Sequence, residues 1–261
     1  MIKINDKKRR LKLILAVILL IIPIISVGFY LNRAYSYIYD TIGAAELSPV
    51  EGMSTYLINN KNGMSTSTLL YAALGDSLTA GVGTEDYQEI LPYLLAEKMT
   101  GDDKQVLLNN YSFPGATAAD VLSTLLPDAI KDNPDVITLL IGVNDIHNLV
   151  HDSEFYGNYE EIVRLLKTET KADIYLINIP LIGSDELMKG PYQALFDART
   201  REFNLIIKEL AVKYSVKYID LYTPSVGLFK RPGVHYSKDS FHPSASGYRL
   251  WADIIYDSIN Q

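Results

Sequence analysis

Ser77 sits in Gly75-Asp76-Ser77-Leu78, directly after an apolar run, and His242 sits in Asp239-Ser240-Phe241-His242-Pro243 near the other end of the chain. Two further polar blocks lie between them, Asn110-Tyr111-Ser112-Phe113-Pro114-Gly115-Ala116-Thr117 and Gly142-Val143-Asn144-Asp145. A serine becomes a nucleophile only with a base, the base needs an acceptor to orient it, and the oxyanion that develops needs preorganised donors. Candidates for all three requirements are present. Each block alone has a plain reading, because Gly-Asp-Ser is ordinary helix-capping chemistry and the other two could be turns or loops. What gives them weight is their joint occurrence, in order.

Other chemistries have less to work with. With no cysteine in 261 residues, a disulfide framework, a thiolate zinc site, a cysteine nucleophile and an acylated-cysteine anchor are excluded. The remaining histidines are His147, His151 and His235. His147 and His151 lie four apart and would suit a metal on a helix, but no acidic or thiol partner is placed to complete the set, so a pocket-lining role is the simpler expectation. No cofactor is expected. Residues 1–12 carry Lys3, Lys7, Lys8, Arg9, Arg10 and Lys12 against Asp6 alone, so the rest of the chain is more acidic than its overall charge of -7. Such a body repels phosphates, and no nucleic-acid partner is expected.

The elements that must position these blocks are legible as alternation. Strand-like apolar runs at Leu69–Leu74, Val106–Asn110, Val136–Ile141, Ile174–Ile179 and Val216–Leu221 alternate with helical patterns near Ile90–Met99, Ala118–Lys131, Tyr159–Thr168, Tyr192–Tyr214 and Ser246–Ile259. Nearly continuous apolar strands between amphipathic helices predict a five-stranded, mostly parallel sheet with helices on both faces. In such sheets ligands bind beyond the carboxyl ends of the strands. The Ser77, Gly115 and Asn144 blocks follow the first three strands, where that rule puts a site.

On these four blocks the sequence resembles the SGNH (GDSL-like) hydrolase family across roughly residues 68–260. The resemblance implies a three-layer α/β/α, flavodoxin-like fold and carboxylic ester hydrolysis. It implies Ser77 as nucleophile and His242 as base, with Asp239 orienting the histidine. The oxyanion hole it implies consists of the Ser77 and Gly115 backbone N–H groups and the Asn144 side-chain amide. Pro114 departs from many relatives and offers no N–H, which leaves that role to Gly115 itself. The physical chemistry agrees. Asp239 and His242, three apart, can share the hydrogen bond that leaves Nε2 facing Ser77, and Asn144 donates without carrying charge. Asp76 reads as a helix cap and Asp145 as a brace for the Asn144 loop. No Gly-x-Ser-x-Gly elbow occurs, which argues against an α/β-hydrolase.

Ahead of this domain, Leu13–Leu31 is nineteen residues without a charge, about 28 Å as a helix, preceded by Lys7-Lys8-Arg9-Arg10, with Phe29 and Tyr30 at its far end and Tyr35, Tyr37 and Tyr39 beyond it. The expected organisation is a basic cytoplasmic segment (1–12), a single transmembrane anchor (13–31), a juxtamembrane spacer (32–67) with a helical stretch at Ala34–Ile42, and the hydrolase domain (68–261) on the extracellular side of the cell membrane. A cleaved signal peptide is the competing reading, with a marginal site at Ala34-Tyr35-Ser36. Expected partners are the membrane and an ester substrate, lipid or acylated envelope material. Acyl transfer through the same residues, or a silent envelope-binding module, are the alternatives. Leu181, Ile182, Leu187 and Met188 are candidates for an acyl-binding lip, with ordinary packing as the other reading.

Overall fold

The computed structural model describes residues 2–45, 47, 53–60, 67–181, 183–229 and 235–260. Among them six strands form one sheet: β1 (Ser54–Ile58), β2 (Ser67–Gly75), β3 (Lys104–Ser112), β4 (Val136–Leu140), β5 (Asp173–Ile177) and β6 (Lys217–Ile219), in the order β1-β3-β2-β4-β5-β6. β2 to β6 are all parallel, and β1 runs antiparallel to β3 at the edge. Tyr71, Ala72, Ala73 and Leu74 of β2 are all buried, as a central strand covered on both faces requires.

One expectation needs correction. The sheet has six strands, not five, and the sixth comes from the range read as a spacer. Ser54–Ile58 alternates exposure along its length, the pattern of an edge strand with one solvated face. A five-residue strand with two polar residues carries little apolar signal of its own. Of the loop expected from Asn59 onward, residues 61–66 lie outside the described residues.

The helices are α1 (Ile2–Ala44), α2 (Ser77–Ala80), α3 (Leu91–Met99), α4 (Ala118–Asp120), α5 (Leu126–Lys131), α6 (Val143–His147), α7 (Asp152–Glu169), α8 (Pro191–Tyr214), α9 (Tyr222–Phe229) and α10 (Ala245–Ile259). A π-helical turn, Val121–Leu125, joins α4 to α5. The stretch expected at Ala34–Ile42 is not separate; α1 runs unbroken through it and through Pro23. Its apolar part is long enough to cross a membrane, and none of it is buried against the rest of the protein.

Without its edge strand the sheet reads β3-β2-β4-β5-β6, the doubly wound order in which the direction of winding reverses between β2 and β4. Loops diverge at that point and leave a crevice at the carboxyl ends of the strands. Register holds the three loops level, since Gly75 pairs with both Ser112 and Leu140. Ser77, Gly115 and Asn144 therefore leave the sheet side by side.

Candidate active site

Ser77 opens α2 two residues past the end of β2, and the turn is made by its neighbours. A Cβ on Gly75 would lie 2.1 Å from Thr79 Oγ1 and 2.5 Å from Leu140 O, so only glycine lets α2 turn this tightly against β4. Asp76 caps α2 by accepting the Leu78 N–H at 2.9 Å. The capping role read from sequence is the one observed.

His242 reaches this serine from 165 residues away. Its Nε2 lies 2.9 Å from Ser77 Oγ and its Nδ1 2.5 Å from Asp239 Oδ2. Asp239 is fully buried, and its Oδ1 accepts Ser237 Oγ at 2.7 Å and the N–H groups of Phe241 and His242 at 2.9 Å each. Burial opposes its ionisation. The hydrogen bonds from His242, Ser237 and Phe241 outweigh burial and hold the carboxyl below its ordinary range. A charged acceptor at Nδ1 fixes the tautomer in which Nε2 carries the lone pair, facing the serine hydroxyl. Serine, imidazole and carboxylate thus form one connected hydrogen-bonded chain, in which the carboxylate orients the imidazole and the imidazole faces the serine.

The other two blocks are tied together beside it. Asn144 Nδ2 donates one N–H to Ala116 O at 2.8 Å, and the buried Asp145 carboxylate accepts the Ala118 N–H at 3.0 Å. Asp145 thus braces the Asn144 loop, as expected, by gripping the loop that carries Gly115. Gly115 has φ +88, a left-handed conformation that L side chains rarely adopt, although the space beside its Cα is open. Glycine is demanded there by backbone geometry and not by crowding.

Two carboxyls beneath the site are held unusually proton-hungry. Burial, with the charge of Asp145 adding to it, raises Asp76 to about 7 against the Leu78 hydrogen bond. Burial likewise raises Asp145 to about 6. The folded state therefore binds the Asp76 proton more tightly than the unfolded chain, and this stabilisation, complete below about pH 4, is lost as pH rises through about 7. Asp76→Asn retains a capping oxygen and removes the titration. Its denaturation midpoint should gain on the wild type by several degrees between pH 5 and pH 8, whereas parallel curves at the two pH values would contradict this assignment.

The remaining histidines do not meet one another. His147 is buried and packs on Phe196 and Phe241, with ring centroids 4.6 and 5.3 Å away. Burial, then the neighbouring His242, lowers it to about 4, so it is neutral. His151 is exposed and caps α7 through Ser153 N. His235 packs against Phe229. Among the described residues no three histidine or acidic side chains gather as a metal site. Leu187 and Met188 are buried and pack in the core, so they form no lip; Ile182 lies outside the described residues. Leu181 lines a small apolar cavity with Leu78, Val143 and Phe241, the neighbours of the site residues. Ser237 was missed in the sequence, where only its position two residues before Asp239 could have pointed to it.

Residues 73–250 match the GDSL-like lipase/acylhydrolase family. The chain is 30% identical to a GDSL-like esterase of Mycobacterium tuberculosis over 193 residues, covering 70% of this chain and 59% of that protein. It is 28% identical to the spore germination lipase LipC of Bacillus licheniformis over 207 residues, covering 71% of this chain and 94% of the lipase. In fold it is similar to the lipase/acylhydrolase of Enterococcus faecalis, with a TM-score of 0.59 at 24% identity, covering 73% of this chain and 95% of that one. This chain belongs to the GDSL-like lipase/acylhydrolase family, a class of carboxylic ester hydrolases, and all four sequence blocks that suggested the family fall inside the matched region.

Proposed function

We propose that the protein is a serine esterase that cleaves lipid or acylated cell-envelope esters through an acyl-enzyme on Ser77. The observation that carries this reading is the path from Ser77 Oγ through His242 to Asp239, closed at 2.9 and 2.5 Å. Ser77 Oγ attacks the ester carbonyl carbon as its proton passes to His242 Nε2. The oxyanion is held by the N–H groups of Ser77 and Gly115 and by the second N–H of the Asn144 amide, whose first is spent on Ala116 O. Collapse breaks the ester C–O bond, and the alcohol leaves with the proton from His242. A water then repeats the sequence and releases the acid. No cofactor takes part in these steps.

Turnover of short p-nitrophenyl esters tests this reading, and Asn144→Ala tests the hole. The amide is neutral and acts on charge that exists only at the transition state. Its loss should cost roughly 100–1000-fold in kcat with KM little changed. A rise in KM alone would make Asn144 a substrate-binding residue instead.

The same reading takes α1 as an uncleaved anchor, with the basic residues 7–10 inside and the esterase domain outside the membrane, supported by its length, its apolar surface and its charge asymmetry. The protein should remain with the membrane fraction after alkaline carbonate washing. A soluble form starting near residue 37 would show cleavage instead.

A further inference from the structure

The part of α1 beyond its apolar span does not hang free; it is packed on the esterase domain. Tyr192, at the start of α8, donates its hydroxyl to Leu31 O at 3.0 Å, and its ring meets Tyr35 at 5.6 Å between centroids. The Tyr30 hydroxyl lies against Gly190, and Lys189 Nζ sits 4.7 Å from the Tyr37 ring. Ile38 is fully buried, and Ile42 packs on the same core. Contact therefore starts at the last residues of the apolar span and continues for about three helical turns.

That contact ends beside the proposed active site. Tyr39 meets His147 edge-on at 6.3 Å, His147 meets Phe241 at 5.3 Å, and Phe241 meets the His242 ring at 4.9 Å. Tyr39 is eight residues past Leu31, about 12 Å along a helix axis. The headgroup layer of a bilayer is roughly 5–8 Å deep on each side. Leu149 and Leu195, close in sequence to His147 and Phe196, present exposed apolar side chains.

We propose that the juxtamembrane part of α1, Tyr30–Ile42, is a rigid docking arm that holds the mouth of the Ser77 site at the membrane surface, so that the protein acts on acyl esters whose chains stay in the bilayer. This rests on Ser77 being the nucleophile. An unbroken helix fixed at both ends confines the site to the interface, where a membrane-resident ester has a high local concentration. A flexible tether would let the domain wander and dilute that advantage.

The test compares p-nitrophenyl acetate in solution with p-nitrophenyl palmitate in phosphatidylcholine vesicles that carry the reconstituted full-length protein. The two esters share a leaving group and differ in where the acyl chain resides. A twelve-residue Gly-Ser linker inserted between Leu31 and Asn32 breaks the rigid connection, giving up the contacts of Tyr30 and Leu31 while Tyr35, Tyr37, Ile38 and Ile42 keep theirs; it should keep acetate turnover within about twofold and lower the palmitate-to-acetate ratio about tenfold. The double variant Tyr35→Ala/Tyr192→Phe, which loosens docking without an insertion, should lower the ratio in the same direction. A ratio unchanged in both overturns the docking arm while leaving Ser77 catalysis standing. A wild-type protein inert on p-nitrophenyl acetate overturns the Ser77 reading, and this one with it.

Discussion

Ser77→Ala is expected to reduce esterase turnover by about four to six orders of magnitude while leaving the fold intact. The size follows from what is lost. Without Oγ no acyl-enzyme forms, and only the oxyanion donors and substrate binding remain to assist direct attack by water. Structurally the change is small. The Ser77 side chain makes one hydrogen bond, to His242, and a neutral bond of that kind contributes on the order of 1 kcal/mol. Circular dichroism and thermal midpoint should therefore stay close to wild type. Loss of both activity and cooperative unfolding would make the residue structural.

Asp239→Asn should be nearly as severe, about 10⁴-fold in kcat, for a different reason. The replacement amide would still offer an oxygen to the N–H groups of Phe241 and His242, so the loop should hold its shape. Its NH₂ would then face His242 Nδ1, where the carboxylate Oδ2 now lies at 2.5 Å. A donor there reverses the tautomer and turns Nε2–H toward Ser77, so the serine has no acceptor for its proton. KM should change little. A loss below tenfold would mean that Asp239 only packs the loop and does not orient the base.

Most of the sheet was legible because its strands are buried on both faces. The apolar runs at Leu69–Leu74 and Val136–Ile141 match β2 and β4 to within two residues at either end. The site blocks were legible because α/β topology puts chemistry after strands, and β2, β3 and β4 are neighbours. What escaped the sequence depends on pairing over distance. β1 is a short edge strand whose partner β3 lies about fifty residues away, and its own residues alternate too briefly to announce it. The docking of α1 escaped for the same reason. Tyr35 and Tyr39 have the composition of an interfacial belt, and their partners Tyr192 and His147 lie more than a hundred residues further on. His147 could be expected near the pocket, but not that aromatic packing with Phe196 and Phe241 would bury it and keep it neutral.

The central claim is that one residue, Ser77, carries the acyl group, and covalent labelling tests it most directly. A serine-directed alkyl phosphonate p-nitrophenyl ester reacts only with a nucleophile activated by a neighbouring base, and leaves a stable phosphonyl group on the attacking oxygen. Intact-protein mass spectrometry should show one phosphonyl group per chain, and peptide mapping should place it on Ser77. Labelling should proceed in step with loss of esterase activity and vanish in Ser77→Ala. A label on any other residue, with Ser77→Ala still modified and still active, would contradict the account at its centre.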